Sequence, residues 1–181
     1  MYSIICDCDL NSQARIVTIR DDIKAQCPGG AFKTGLEPHI SLQGADDYPI
    51  EQVELTLREV TEKSPPVKVY VGGLGIFTGD SPVVYLTIAK SRQLYEVHRA
   101  IWEELSGLGQ RVNPLFSPTT WIPHISLFYG KKTDLPQLSC VIGELMEHDL
   151  NFEITIVQLS IVFDKAGELG IRSSFSFREE E

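Results

Sequence analysis

Basic residues are scarce: 16 Lys and Arg stand against 25 Asp and Glu, a formal net charge of −9. A sequence-independent grip on a long polyphosphate backbone needs a basic stripe. The balance therefore disfavours DNA and leaves room for a small anion held by a few local donors. Cysteine is scarce too. Cys6, Cys8, Cys27 and Cys140 have neither zinc-ligand spacing nor the density of a disulfide framework, so buried free thiols are expected. No apolar run is long enough to span a bilayer, and the opening Met1-Tyr2-Ser3-Ile4-Ile5 lacks the basic stretch of a secretory signal. A cytoplasmic protein without membrane contact is expected. No linker interrupts the chain, so residues 1–181, with 43% hydrophobic content, are expected to form one domain and a monomer.

What is present is a repeat. Pro-His-Ile-Ser-Leu stands at 38–42 and again at 123–127, 85 residues later (124 − 39). In an extended strand His and Ser at i and i+2 share one face, while Ile40, Leu42, Ile125 and Leu127 face the other way. Each copy reads as a strand that buries its aliphatic face and presents an imidazole and a hydroxyl to a groove.

The rest of the chain supplies elements around these strands. Residues 2–8 read as a strand. Ile16, Ile19 and Ile23 follow at helical spacing, with Ser12 as N-cap. Residues 27–35 form a Gly/Pro loop before the first motif. Ile50, Val53, Leu57 and Val60 make an amphipathic helix that Ser64-Pro65-Pro66 ends. Val67, Val69 and Val71 alternate as a strand, and Gly72-Gly73-Leu74-Gly75 predicts a bulge. A strand over 83–89 precedes a helix capped by Ser91, with Leu94, Val97, His98, Ile101, Trp102 and Leu105 on its apolar stripe. A Pro-rich loop over 109–121 enters the second motif. A helix through Leu138–Met146, strands over 152–163 and 171–177, and a frayed acidic end at 179–181 complete the reading. The fold class is α+β, with two related lobes, each an antiparallel sheet with helices on one side.

Two histidines facing one space supply a general base and a general acid near neutral pH. The hydroxyls of Ser41 and Ser126 can donate to an anionic oxygen, which suits attack at phosphorus. Zinc ranks below acid–base chemistry, because neither motif brings a further Cys, Asp or Glu at ligand spacing. A Ser-His nucleophilic pair ranks below it too, since i, i+2 neighbours on a strand lie about 6.5 Å apart.

Two His-x-Ser motifs about eighty residues apart, each led by Pro, resemble the signature of the 2H phosphoesterases. The stretch Pro123–Gly130 is most similar to the 2′,3′-cyclic nucleotide phosphodiesterase branch, and next to the LigT-type 2′-5′ RNA ligase-like branch. The resemblance implies a bilobal, pseudo-twofold fold with a central cleft and metal-independent hydrolysis of cyclic phosphates. It implies His39 and His124 as the catalytic pair, Ser41 and Ser126 as phosphate-binding residues, and no cofactor. The expected partner is a small nucleotide cyclic phosphate. RNA ends are the alternative, received by a rim of Lys33, Arg111, Lys131 and Lys132. A catalytically silent nucleotide-binding module is the reading from a different class.

Further substrate contacts are expected from Gln43 and Phe128, both four residues after a motif histidine and so on the groove face by strand parity. Phe128 suits stacking on a base or packing at the cleft edge. Tyr129 has the opposite parity and is expected in the core. Phe32, Lys33 and Phe116 flank the motifs, as does Trp121, which reads as a loop staple. Tyr85, on one strand face with Thr87, is a weaker candidate. His98 reads as a structural histidine and His148 as a partner of a helix dipole.

Overall fold

The computed structural model describes residues 1–28, 36–165 and 167–178. Phe32 and Lys33 of the first loop and the acidic residues 179–181 lie outside the described residues. The elements run β1 (Tyr2–Cys8), α1 (Leu10–Gln26), β2 (His39–Ala45), α2 (Ile50–Glu62), β3 (Val67–Phe77), β4 (Val83–Ile88), α3 (Arg92–Leu105), β5 (His124–Tyr129), α4 (Leu135–Leu145), β6 (Asn151–Lys165) and β7 (Glu168–Ser176). The duplicated unit is therefore strand, helix, motif strand, helix: β1-α1-β2-α2 and β4-α3-β5-α4.

All pairings are antiparallel, in the order β2-β1-β6-β3-β4-β5, with β7 also on β6. The two expected sheets are two halves of one, because β6 serves both. Residues 151–156 of β6 pair with β3, while 156–163 pair with β1 and 158–165 with β7. β2 and β5, at opposite ends of this path, come within 8 Å of one another, Cα to Cα, across the cleft.

Helix starts follow the chemistry of their caps. Asp9, not Ser12, caps α1: its side chain accepts from the backbone N–H of Asn11 and Ser12. The same carboxylate accepts the Thr155 N–H at 3.1 Å, so one residue both starts α1 and ties it to β6. Ser91 caps α3 as expected, accepting from Leu94 N–H. α1 buries Ile16, Ile19 and Ile23, and α3 buries Leu94, Val97 and Ile101 at the same spacing. α1 packs on α4 and α2 on α3, while α3 also lies against β2. The helices cover the face of the sheet that carries Ile4, Cys6, Ile40, Leu42, Leu86 and Ile125.

The cysteine expectation needs correction. Cys6 and Cys8 are buried free thiols, but Cys27 and Cys140 form a disulfide across 113 residues of chain. It joins the end of α1 to α4, and packing of those two helices brings the sulfurs together where spacing along the chain gives no sign of it. Among the described residues no helix is long and apolar enough to cross a membrane.

Candidate active site

Both motif strands carry a β-bulge at the same point. Along β1 and β2, Ile5 pairs with Ser41 but Ile4 pairs with Gln43, so Leu42 is the extra residue. Along β4 and β5, Tyr85 pairs with Ser126 but Val84 pairs with Phe128, so Leu127 is the extra residue. An inserted residue shifts strand parity from that point on. Gln43 and Phe128, expected on the groove face, are therefore turned into the core, each with no exposed surface. Neither contributes to the cleft. The Gln43 amide is buried with neither its oxygen nor its nitrogen partnered. The same shift brings Tyr129, expected in the core, out to line the cleft.

Ahead of the bulges the parity reading holds. His39, Ser41, His124 and Ser126 line a single cavity of about 260 Å³, small for a ligand pocket. The His39 Nδ1–H donates to the Glu37 carbonyl at 2.7 Å and the His124 Nδ1–H to the Ile122 carbonyl at 2.7 Å. A carbonyl oxygen can only accept, so each neutral imidazole carries its proton on Nδ1 and its lone pair on Nε2. Two residues upstream of each histidine the chain sets the tautomer in the same way. Among the described residues no three His, Cys, Asp or Glu side chains cluster as a metal site.

The two imidazoles differ in surroundings. His124 meets the Phe77 ring edge-on at 4.8 Å between centroids and the Tyr85 ring at 5.0 Å. Burial lowers its pKa below the ordinary histidine value, against the Ile122 carbonyl bond, which raises it. Tyr85 stacks on Phe77 at 4.2 Å and lies flat over Gly75, where a Cβ would come within 2.3 Å of the ring. This position of β3 must be glycine for Tyr85 to reach His124. Phe77 was not legible from sequence, because the Gly-rich bulge in β3 hides which face it takes. His39 instead has Asp7 as its cross-strand partner. The Asp7 carboxylate accepts from Ser160 Oγ at 2.5 Å and Gln158 Nε2 at 3.0 Å.

Each motif serine is fixed through its backbone carbonyl. The Trp121 indole N–H donates to the Ser41 carbonyl at 2.9 Å, and Arg20 Nη2 donates to the Ser126 carbonyl at 2.7 Å. Trp121 is thus a staple, 3% exposed, held by Lys90 Nζ on its own carbonyl at 2.9 Å. Phe116 lines the cleft, its ring 3.7 Å from where a Gly44 Cβ would be. Thr87 donates to the Gly73 carbonyl at 3.2 Å. Of the expected basic rim, Arg111 pairs with Asp46, and Lys132 with Asp80 at 3.7 Å. His148 lies 3.8 Å from both Asp22 and Glu144.

His98 is structural. It is fully buried, bonded through Nε2 to the Phe116 carbonyl at 2.9 Å, and stacked on Trp121 at 3.8 Å. Burial pushes its pKa down to about 4. The folded chain therefore keeps it neutral while the unfolded chain protonates it below about pH 6.5. Stability is full above that pH and falls as pH drops toward 4, by about 3 kcal/mol from this residue. Urea midpoints at pH 7 and pH 4.5 for wild type and His98→Leu measure this. An equal drop in both proteins would show that another group is responsible.

A strand-helix duplication whose two motif strands bring a pair of His-x-Ser units into one cleft is the layout of the 2H phosphoesterase superfamily. The 2′-5′ RNA ligase superfamily matches over residues 9–166, and the chain belongs to that superfamily. It is 25% identical over 138 residues to a Bacillus cytotoxicus protein named as a phosphoesterase, covering 72% of this chain and 73% of the relative. Similar folds are TT0787 of Thermus thermophilus (TM-score 0.65, 14% identity, 99% of each chain) and LigT of E. coli complexed with 3′-AMP (TM-score 0.62, 12% identity, 98% and 97% covered). Usb1 of Kluyveromyces marxianus with uridine monophosphate is a third (TM-score 0.57, 10% identity, 97% of each chain).

Proposed function

We propose that the protein is a phosphoric diester hydrolase that opens 2′,3′-cyclic nucleotides, or related ribose cyclic phosphates, to phosphomonoesters without a metal ion. The observation that carries this reading is that two imidazoles, each proton-bearing at Nδ1, share one small cleft with two serine hydroxyls. In the reaction one histidine takes a proton from water as its oxygen attacks phosphorus. The other gives a proton to the ribose oxygen as the P–O bond breaks. Ser41 and Ser126 donate to the non-bridging oxygens as charge shifts onto them.

The surroundings favour His124 as base, which leaves the acid role to His39. A base must start neutral, which burial against Phe77 and Tyr85 promotes. A small cleft and a net charge of −9 suit a mononucleotide, and the solved relatives include complexes with 3′-AMP and uridine monophosphate. The superfamily's description supports a second reading, RNA end-processing or 2′-5′ ligation.

Purified protein assayed with and without EDTA on the four nucleoside 2′,3′-cyclic monophosphates and on an RNA with a cyclic-phosphate end tests these readings. Chelator-insensitive turnover of mononucleotides is expected. Turnover of the RNA end alone would move the assignment to the second reading. In the same assay Ser41→Ala and Ser126→Ala should each lose about 10²–10³-fold in kcat, as for removal of one oxyanion donor, with little change in Tm. Wild-type kinetics in both would remove the serines from the mechanism.

A further inference from the structure

The two copies fix their serines by unlike means, and the difference is a charge. α1 and α3 bury equivalent triplets, Ile16-Ile19-Ile23 and Leu94-Val97-Ile101, so Arg20 and His98 occupy equivalent helix positions. His98 is neutral and fully buried, and acts on Ser41 through the stacked Trp121. Arg20 reaches Ser126 itself and lines the cleft that holds both motifs. The Trp121 side shows that a neutral donor is enough to hold a motif serine carbonyl. A guanidinium is more than the clamp requires.

Among the described residues Arg20 uses one of its five N–H donors, on the Ser126 carbonyl. Among the described residues no carboxylate lies within ion-pair distance of it. The acidic groups that act on it electrostatically are the Tyr129 phenol and the Glu37 carboxylate, while burial works against its charge. A partly buried cation without an ionic partner is costly until an anion completes it. We propose that Arg20 is the cation of the phosphate site: its remaining donors take non-bridging oxygens of the phosphoryl group that Ser126 also holds. Planar guanidinium geometry suits two phosphate oxygens at once. The phosphoryl group then sits toward the Ser126 half of the cleft, and the pseudo-twofold symmetry is broken in function although the motifs are identical.

This inference rests on the phosphoesterase reading, and its test separates the two. Inorganic phosphate is titrated calorimetrically into wild type, Arg20→Gln, Arg20→Lys, Ser41→Ala and Ser126→Ala. The same proteins are assayed on a nucleoside 2′,3′-cyclic monophosphate. Arg20→Gln should weaken phosphate at least tenfold and raise KM. Arg20→Lys should recover most of that loss, and Ser126→Ala should cost more phosphate affinity than Ser41→Ala. A purely structural clamp would leave Lys no better than Gln. In unmodified protein, phosphate should slow labelling of Arg20 by an arginine-specific dicarbonyl, read by peptide mass spectrometry, which keeps the test independent of how the variants fold. Unchanged phosphate affinity in Arg20→Gln, or labelling of Arg20 that phosphate does not slow, would overturn the proposal while wild-type turnover kept the enzyme assignment intact. Wild type that neither binds phosphate nor turns over the cyclic nucleotide would overturn both.

Discussion

Alanine at His39 or at His124 should lower kcat/KM by about 10²–10⁴-fold, the range over which a positioned proton donor or acceptor contributes. The double variant should be little worse than either single one, because acid and base act on one transition state. The pH profile carries the sharper information. Wild type should be bell-shaped, since rate falls at low pH as the base protonates and at high pH as the acid deprotonates. With His124 as base, its lowered pKa places the acidic limb below the ordinary histidine value. Residual activity of His124→Ala should therefore lose the acidic limb, and that of His39→Ala the basic limb. Because imidazoles around one phosphate influence each other, the wild-type limbs report the pair. Loss of the same limb in both variants would rule out the two-histidine scheme, and loss of the limbs in the opposite order would exchange the roles.

Phe128→Ala should produce the largest change in stability, about 3–5 kcal/mol, the cost of emptying a buried aromatic site. Phe128 is fully buried and pairs across the sheet with Val84, itself fully buried. Phe128→Leu keeps most of the volume and should cost far less. Neither change should alter the relative kcat/KM for purine and pyrimidine substrates, because the ring faces the helices and not the cleft. Denaturant melts of the two variants, with rates on all four cyclic mononucleotides, check this. A shift in base preference with stability unchanged would place Phe128 in the substrate site after all.

Much of the fold was legible because its signals are local. Alternation in Val67–Val71, the isoleucine triplet of α1, the Ser91 cap and the two motif strands each follow from a few neighbouring residues. That His39, Ser41, His124 and Ser126 face one cleft was legible for the same reason: His and Ser at i and i+2 need only two residues of regular strand. Gln43, Phe128 and Tyr129 were misplaced together by one cause, a single inserted residue per strand that no residue type announces. Arg20 stands beside Ile19 on the helix, and its link to Ser126 spans 106 residues. The one sequence sign available was that the matching triplet of α3 carries His98 at the same place. The Cys27–Cys140 bond, across 113 residues, had no local sign at all.

The bulges also bear on how the two halves of the chain have diverged. The five-residue identity runs through Leu42 and Leu127 and stops at the next residue, where one copy has Gln43 and the other Phe128. Up to the bulge, each residue answers to a shared demand, either the cleft or the aliphatic layer behind it. Just beyond it, Gln43 and Phe128 each answer to the interior of their own lobe. The identity thus ends at the first residue past each bulge, where the side chain turns from the shared cleft geometry into the packing of its own half.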